Sequence, residues 1–199
     1  MKRVPVLPTV LVTLAVAAMI GLGLWQLIDR LPRKEAYLAQ LAANPSQPPI
    51  AFPHAPDDTL LFRRAFLRCL QPVSTRRAGA GSAGFRLIAS CRADADRSAP
   101  QVQLGTTRDP RRSVTWKGGE VRGYISHAPD SRPLIAGLFD RAPTPLMLVA
   151  DTPPPGLAAN APPDLSAVPN NHLAYGVQWF LFAGVAAIIY VLALRRRRG

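Results

Sequence analysis

A single histidine lies next to a long apolar segment near the end of the chain, and small and aromatic residues follow it at helical spacing. Spacings of four, three and four positions place these residues on one face of a helix: His172, Gly176, Trp179 and Ala183. Neutral imidazole is a common axial ligand of haem iron, and small residues let a second helix or a flat ligand approach closely. A histidine at membrane depth predicts a functional site.

The first apolar segment of the chain ends in residues of the same kinds, namely Gly21, Gly23, Trp25 and Gln26. If both segments cross a membrane in opposite directions, these residues lie level with His172. The two helix ends would then form one aromatic pocket with a single imidazole. In the alternative interpretation, which the residues alone favour, His172 bonds water in the headgroup zone and the tryptophans form the interfacial aromatic belt.

Two uncharged runs must position these residues. Val4–Ile28 contains 25 residues without a charge and Leu173–Leu194 contains 22. Each exceeds the roughly 20 residues that a helix needs to cross a bilayer core. A cleaved signal peptide is the rival interpretation of the first run, but the run continues well past the small-residue site at Ala17. The sequence therefore predicts two retained membrane spans.

The basic residues at the chain ends predict the orientation of the spans. Lys2 and Arg3 precede the first span, and four arginines, 195–198, follow the second, which predicts cytoplasmic termini. The segment between the spans then lies on the other side, because long loops translocate largely regardless of charge. The net charge of +12 therefore indicates topology and contact with the lipid bilayer, with no need for a nucleic-acid partner.

The region between the spans combines Pro-rich segments with short strand patterns. A short helix is predicted from Pro32, an extended linker over 44–56 and a Pro-rich tether over 151–171, in a chain with 21 prolines. Alternation along Phe85–Arg92 is typical of a half-buried strand. Further strand candidates are Phe62–Leu70, Gln101–Thr106, Glu120–Ser126 and Thr144–Ala150. Turn signals between them predict a small antiparallel sheet, either a sandwich or a barrel.

The sequence contains none of the common catalytic motifs, so the protein is not predicted to be an enzyme. The glycines of 79–84 match a dinucleotide fingerprint formally, but the flanking residues favour a hairpin loop. His127, with Asp130 nearby, has no third group at a defined spacing, and His54 lies in a Pro-rich linker, so both are interpreted as surface histidines.

The two cysteines, Cys69 and Cys91, both fall on the apolar faces of their predicted strands. An extracytoplasmic compartment permits a disulfide between them if their Cα atoms lie within ~7 Å. Two buried thiols explain the sequence nearly as well, and both alternatives stay open.

Motifs at both spans resemble one known family. The first span ends Leu-Gly-Leu-Trp-Gln at 22–26, and the second opens Pro-Asn-Asn-His-Leu at 169–173, followed by Tyr175, Gln178, Trp179 and Phe180. These motifs are similar to those of the Surfeit-locus-one family of cytochrome c oxidase assembly proteins. In the middle of the chain, the segments 62–64 and 84–87 resemble two strands of that family more loosely.

The resemblance implies an assembly factor without catalytic turnover. It implies that the protein binds haem a transiently, receives it from the haem a synthase and assists its insertion into cytochrome c oxidase subunit I. The family's span histidine, the proposed haem ligand, matches His172, and Trp25, Tyr175, Gly176 and Trp179 would border the macrocycle. A scaffold for subunit I that binds no cofactor is the alternative function.

The predicted protein is therefore an integral protein of the bacterial inner membrane, with both termini cytoplasmic and the central domain periplasmic. Its predicted parts are a transmembrane helix at 1–28, a juxtamembrane helix and linker at 29–56, a β-rich domain at 57–150, a tether at 151–171, a second transmembrane helix at 172–194 and a basic tail at 195–199.

Overall fold

The computed structural model describes residues 5–92, 99–129 and 142–198. The predicted basic start at Lys2 and Arg3 and the residue Asp130 lie outside the described residues. The chain divides into two compact units, one made of Met1–Leu38 with Ser166–Gly199 and the other of Ala39–Leu165. The first unit is helical and the second contains the sheet.

In the described part of the helical unit, two helices are long and apolar enough to cross a membrane. Helix α1 spans Val6–Trp25, helix α2 spans Leu31–Ala43, and helix α3 spans His172–Arg198. Large apolar side chains are exposed around both long helices, which is typical of surfaces that face lipid. The structure thus confirms the predicted pair of apolar helices on either side of a β domain.

The first helix does not stop at residue 28, because a π-helical segment, Gln26–Arg30, joins α1 directly to α2. The amide of Leu31 donates to the carbonyl of Gln26, five residues earlier. Pro32 lacks an amide hydrogen, and its ring would clash with the carbonyl four residues before it in an α-helix. The wider π turn accommodates this proline, so the predicted new helix at Pro32 is instead a continuation of the first.

The helices α1 and α3 pack antiparallel, so the end of α1 lies beside the beginning of α3. A Cβ atom added to Gly23 would lie 2.9 Å from Cζ of Phe180, and at the other end of the pair Thr9 contacts the hydroxyl of Tyr190. Small residues at such crossings let apolar helices approach closely. The face predicted for α3 is the one that meets α1, with Ala183 only 4% exposed.

The described residues of the second unit form one seven-stranded sheet. Its strands are β1 Ile50–Ala51, β2 Arg64–Cys69, β3 Gln71–Gly79, β4 Phe85–Arg92, β5 Gln101–Thr107, β6 Gly119–His127 and β7 Leu146–Ala150. The predicted strands are present, and the glycines of 79–84 form the hairpin loop between β3 and β4. Strands β1 and β3 were not predicted.

The sheet is mixed, so the prediction of a purely antiparallel sheet is wrong. The strand order is β1-β2-β6-β7-β5-β4-β3, in which β1 pairs with β2 and β5 with β7 in parallel. Only Leu70 separates β2 from β3, and these two strands pair with β6 and β4 respectively. One bent strand therefore joins both sides of the sheet and closes it into a barrel. This strand order and direction is that of the five-stranded Greek-key barrel called the OB-fold.

A disulfide joins Cys69 to Cys91 where the bent strand closes the barrel, with their Cα atoms 5.3 Å apart. Both cysteines are buried, and the amide of Leu70 donates to the carbonyl of Arg92 beside them at 2.9 Å. A bulge after Leu87 turns Ile88 into the core as well, which breaks the simple alternation predicted for β4.

The Pro-rich segments pack on the sheet in part. Within the predicted linker, β1 extends the sheet beside β2. Within the predicted tether, Ala158 exchanges two backbone hydrogen bonds with Thr106 of β5, at 2.8 and 3.0 Å. The carboxamide of Asn160 donates to the carbonyl of Ala150 at 2.8 Å. Backbone groups of these segments are thus satisfied by the sheet rather than by water alone.

Candidate functional site

The first turn of α3 and the π-helical segment bring one histidine and one glutamine together. Nδ1 of His172 lies 2.8 Å from Oε1 of Gln26. Gln26 and Leu27 follow Gly23 by three and four positions, so all three share the face of the first helix that meets α3. The imidazole is half-buried at one end of an apolar helix pair.

Gly176 lies one helical turn after the histidine. Because it has no side chain, the first helix packs closely against α3 at this position. A Cβ atom at this position would lie 2.6 Å from Cδ2 of Leu27. Leu27 therefore fills the space that the sequence assigned to a helix or a flat ligand. In this arrangement Gly176 permits the close approach of the helix that carries Gln26.

The predicted aromatic residues lie around this contact but do not stack on one another. Trp25 is 43% exposed, and Cζ of Arg30 lies 4.6 Å from its ring centroid. Tyr175 is 50% exposed on α3. The ring of Trp179 meets Phe182 edge to face, with centroids 6.2 Å apart. In the described part of the chain, no ring contact joins any two of the three predicted aromatic residues.

Gln26, which the sequence placed level with His172, was not among the residues predicted to bind the cofactor. Among the described residues, its side chain makes a polar contact with Nδ1 of His172, and Leu27 beside it packs on Gly176. The signal was present in the sequence, because an antiparallel pair that places residue 23 opposite 176 also places residue 26 near 172. Chemically, the arrangement offers one imidazole with one nitrogen held by the protein, beside exposed aromatic rings.

The other histidines do not form a comparable site. Nε2 of His127 lies 2.8 Å from Oδ1 of Asp58, on the sheet domain, and both side chains are exposed. Among the residues that the structure describes, no group of three His, Cys, Asp or Glu side chains could hold a metal ion.

The sheet domain has a polar face of its own, where residue 160 crosses the strands. Nε2 of Gln103 donates to Oδ1 of Asn160 at 2.7 Å, and the hydroxyl of Tyr124 donates to the carbonyl of Ala161 at 2.5 Å. Burial raises the pKa of Tyr124, and the nearby Arg86 opposes that shift. The hydrogen-bonding groups of this face are paired with one another, and these hydrogen bonds hold the Pro-rich segment on the sheet.

The fold and the site together define a class of protein: a β-barrel domain inserted between two helices that are long and apolar enough to cross a membrane, with a histidine where the helices meet. The SURF1 family matches residues 13–184, which is most of the chain, and the protein belongs to that family. This confirms the Surfeit-locus-one resemblance and associates the protein with cytochrome c oxidase assembly. No curated protein and no solved structure matches the chain.

Proposed function

We propose that this protein is a carrier of haem a in the bacterial inner membrane, which receives haem a from the haem a synthase and assists its insertion into cytochrome c oxidase subunit I. Both termini would be cytoplasmic and the sheet domain periplasmic. The protein would bind and release its cargo without catalytic turnover. Membership in an oxidase-assembly family supports a role in building cytochrome c oxidase. The histidine between the two helices supports haem a as the molecule that is carried.

The observation that carries the proposal is the half-buried imidazole of His172, of which Nδ1 contacts Gln26 while Nε2 has no hydrogen-bond partner among the described residues. A neutral imidazole nitrogen is a common axial ligand of haem iron. The donor set fits a porphyrin better than a bare ion, because the porphyrin supplies four iron ligands itself.

The surroundings of His172 also fit a large apolar cargo. Trp25 and Tyr175 are each about half exposed, at 43% and 50%, so their rings are available to flank a macrocycle. Gly176 contributes indirectly, because it lets the first helix pack against the turn that follows His172. Haem a would supply redox chemistry only after its transfer to oxidase subunit I. A single protein ligand to the iron would keep the binding of haem a to the carrier reversible.

The test is the optical spectrum of the full-length protein, purified in detergent from cells that make haem a. We expect a reduced haem a band in the wild type and in His54→Ala, and its loss in His172→Ala. His54 is the matched control because it lies outside the helical unit. A band of equal strength in His172→Ala would refute the role of this histidine. No band in any sample, with normal expression, would refute the carrier function.

The close packing of the helices supports a second candidate, a cofactor-free scaffold that stabilises nascent subunit I by helix contacts. Under this function, Gly176→Leu would impair oxidase assembly because the added side chain displaces Leu27, whereas His172→Ala would leave assembly intact. Under the carrier function, His172→Ala abolishes assembly. Measuring oxidase activity in membranes from both variants separates the two candidates.

A further inference from the structure

We propose that Gln26 is a positioning residue for His172: its carbonyl oxygen fixes the imidazole in the tautomer that carries its proton on Nδ1, so that Nε2 keeps a free lone pair. The proposal deepens the proposed function, since that lone pair is what would bind iron. It rests on the contact of 2.8 Å between Nδ1 of His172 and Oε1 of Gln26.

The chemistry of the two groups decides which nitrogen holds the proton. A carboxamide oxygen can only accept a hydrogen bond, and a neutral imidazole has one donor nitrogen and one acceptor nitrogen. If Gln26 presents its oxygen, Nδ1 must donate and Nε2 must be unprotonated. Histidines that bind metals commonly use such a hydrogen bond on the other ring nitrogen to set tautomer and ring orientation.

The packing of the helices gives the glutamine its position. Gly23 and Leu27, on the same face of the first helix as Gln26, contact Phe180 and Gly176 of α3. Gln26 begins the π-helical segment, and its backbone carbonyl accepts from Leu31. Single-turn π segments occur frequently at functional sites. The carboxamide thus lies beside two tight apolar contacts, where leaving the N–H of the half-buried imidazole unpaired carries a cost.

The tautomer can be measured without any cargo. The full-length protein, made without haem and reconstituted in lipid nanodiscs, is labelled with ¹⁵N-histidine, and the His172 signals are identified by their loss in His172→Ala. We expect the ring ¹⁵N shifts of the wild type to report a proton on Nδ1. A proton on Nε2 in the wild type would overturn the proposal, whatever any variant does.

Two glutamine variants test whether Gln26 is what sets the tautomer of His172. Gln26→Leu should shift the population toward the Nε2-protonated tautomer, whereas Gln178→Leu should not. Gln178 is the matched control because it is an exposed glutamine on the same helix as His172. If Gln26→Leu keeps the wild-type tautomer, Gln26 does not set it and the proposal is wrong. A merely structural role would leave the tautomer unchanged.

A second readout connects the tautomer to binding. Titration of the same proteins with ferric haem b, followed optically, should show ~10- to 100-fold weaker binding by Gln26→Leu, the usual cost of losing the hydrogen-bond partner of a metal ligand. Equal affinity in Gln26→Leu and the wild type would overturn the positioning role. If the wild type itself binds no haem, the carrier function fails, and the tautomer measurement still decides the role of Gln26.

Discussion

Loss of the disulfide between Cys69 and Cys91 should destabilise the barrel by an amount that the length of the closed loop sets. The two residues are 22 positions apart in the sequence. In the chain-entropy treatment, closing a loop of this length removes ~11 cal/mol/K from the unfolded chain, which is ~3.4 kcal/mol at 25 °C. We therefore expect the free energy of unfolding of the barrel to fall by ~3 kcal/mol when the bond is lost.

The structure supports assigning this loss to the unfolded chain. Cys69 and Cys91 are 1% and 0% exposed, so reduced thiols would stay in the core. The adjacent backbone hydrogen bond, from Leu70 to Arg92, does not depend on the sulfurs. Reduction of the wild type therefore isolates the crosslink, whereas Cys69→Ala/Cys91→Ala adds the loss of two buried sulfur atoms.

Hydrogen exchange of the full-length protein in nanodiscs measures the effect. The amides of Ile88, Val102 and Leu148 belong to fully buried residues of β4, β5 and β7, and we expect them to exchange only when the barrel opens. A loss of ~3 kcal/mol accelerates that exchange by a factor of ~10². Amides of α3 are the internal control and should not change. Acceleration by less than ~5-fold in the barrel would refute the entropic estimate.

Three further changes test packing and charge, each by unfolding of the full-length protein. Gly176→Leu should loosen the helix pair and lower its melting temperature, because a Cβ atom would lie 2.6 Å from the facing helix, whereas Gly21→Leu, with nothing within 4 Å, should not. Gly123→Ala should cost the barrel ~3 kcal/mol or more by overpacking, because its Cβ would overlap a backbone carbonyl of β7, and Gly79→Ala is the open control. Burial raises the pKa of Tyr124 above 10.0, so its contribution to stability is complete at lower pH and is lost as the pH rises through the folded-state pKa. Tyr124→Phe should remove that alkaline loss, and an unchanged pH profile would contradict the assignment.

Periodicity and length predicted the helices and most strands because those elements bury apolar residues at regular spacing. Strand β3 escaped prediction because it is polar and mostly exposed, with Arg76 and Arg77 at its centre, and its backbone is held by pairing with β4. The parallel pairing of β5 with β7 also escaped, since strand direction depends on connections far apart in the sequence. The two-residue strand β1 lies in a segment whose prolines indicated only a linker.

The site was predictable where it depends on spacing within one helix, and not where it depends on the pairing of two helices. His172 and Gly176 could be found because helical spacing places them on one face. The partner of each could not be read from one helix alone, since Gln26 and Leu27 gain their roles only from the register of the pair. The π turn could have been suspected from Pro32, which cannot continue an α-helical hydrogen-bond ladder.

The register of the helix pair connects the carrier and scaffold functions. Contacts between Thr9 and Tyr190 at one end and between Gln26 and His172 at the other span nearly the whole length of α1. Sliding one helix by a turn would break both polar contacts and force Gly176 out of register with Leu27. A change that loosens this packing should therefore also release the imidazole from Gln26. The reverse does not hold, because removing the ring of His172 leaves the apolar contacts in place. The phenotype of His172→Ala is for that reason the more specific of the two, and loss of function in Gly176→Leu counts for the scaffold only where His172→Ala remains active.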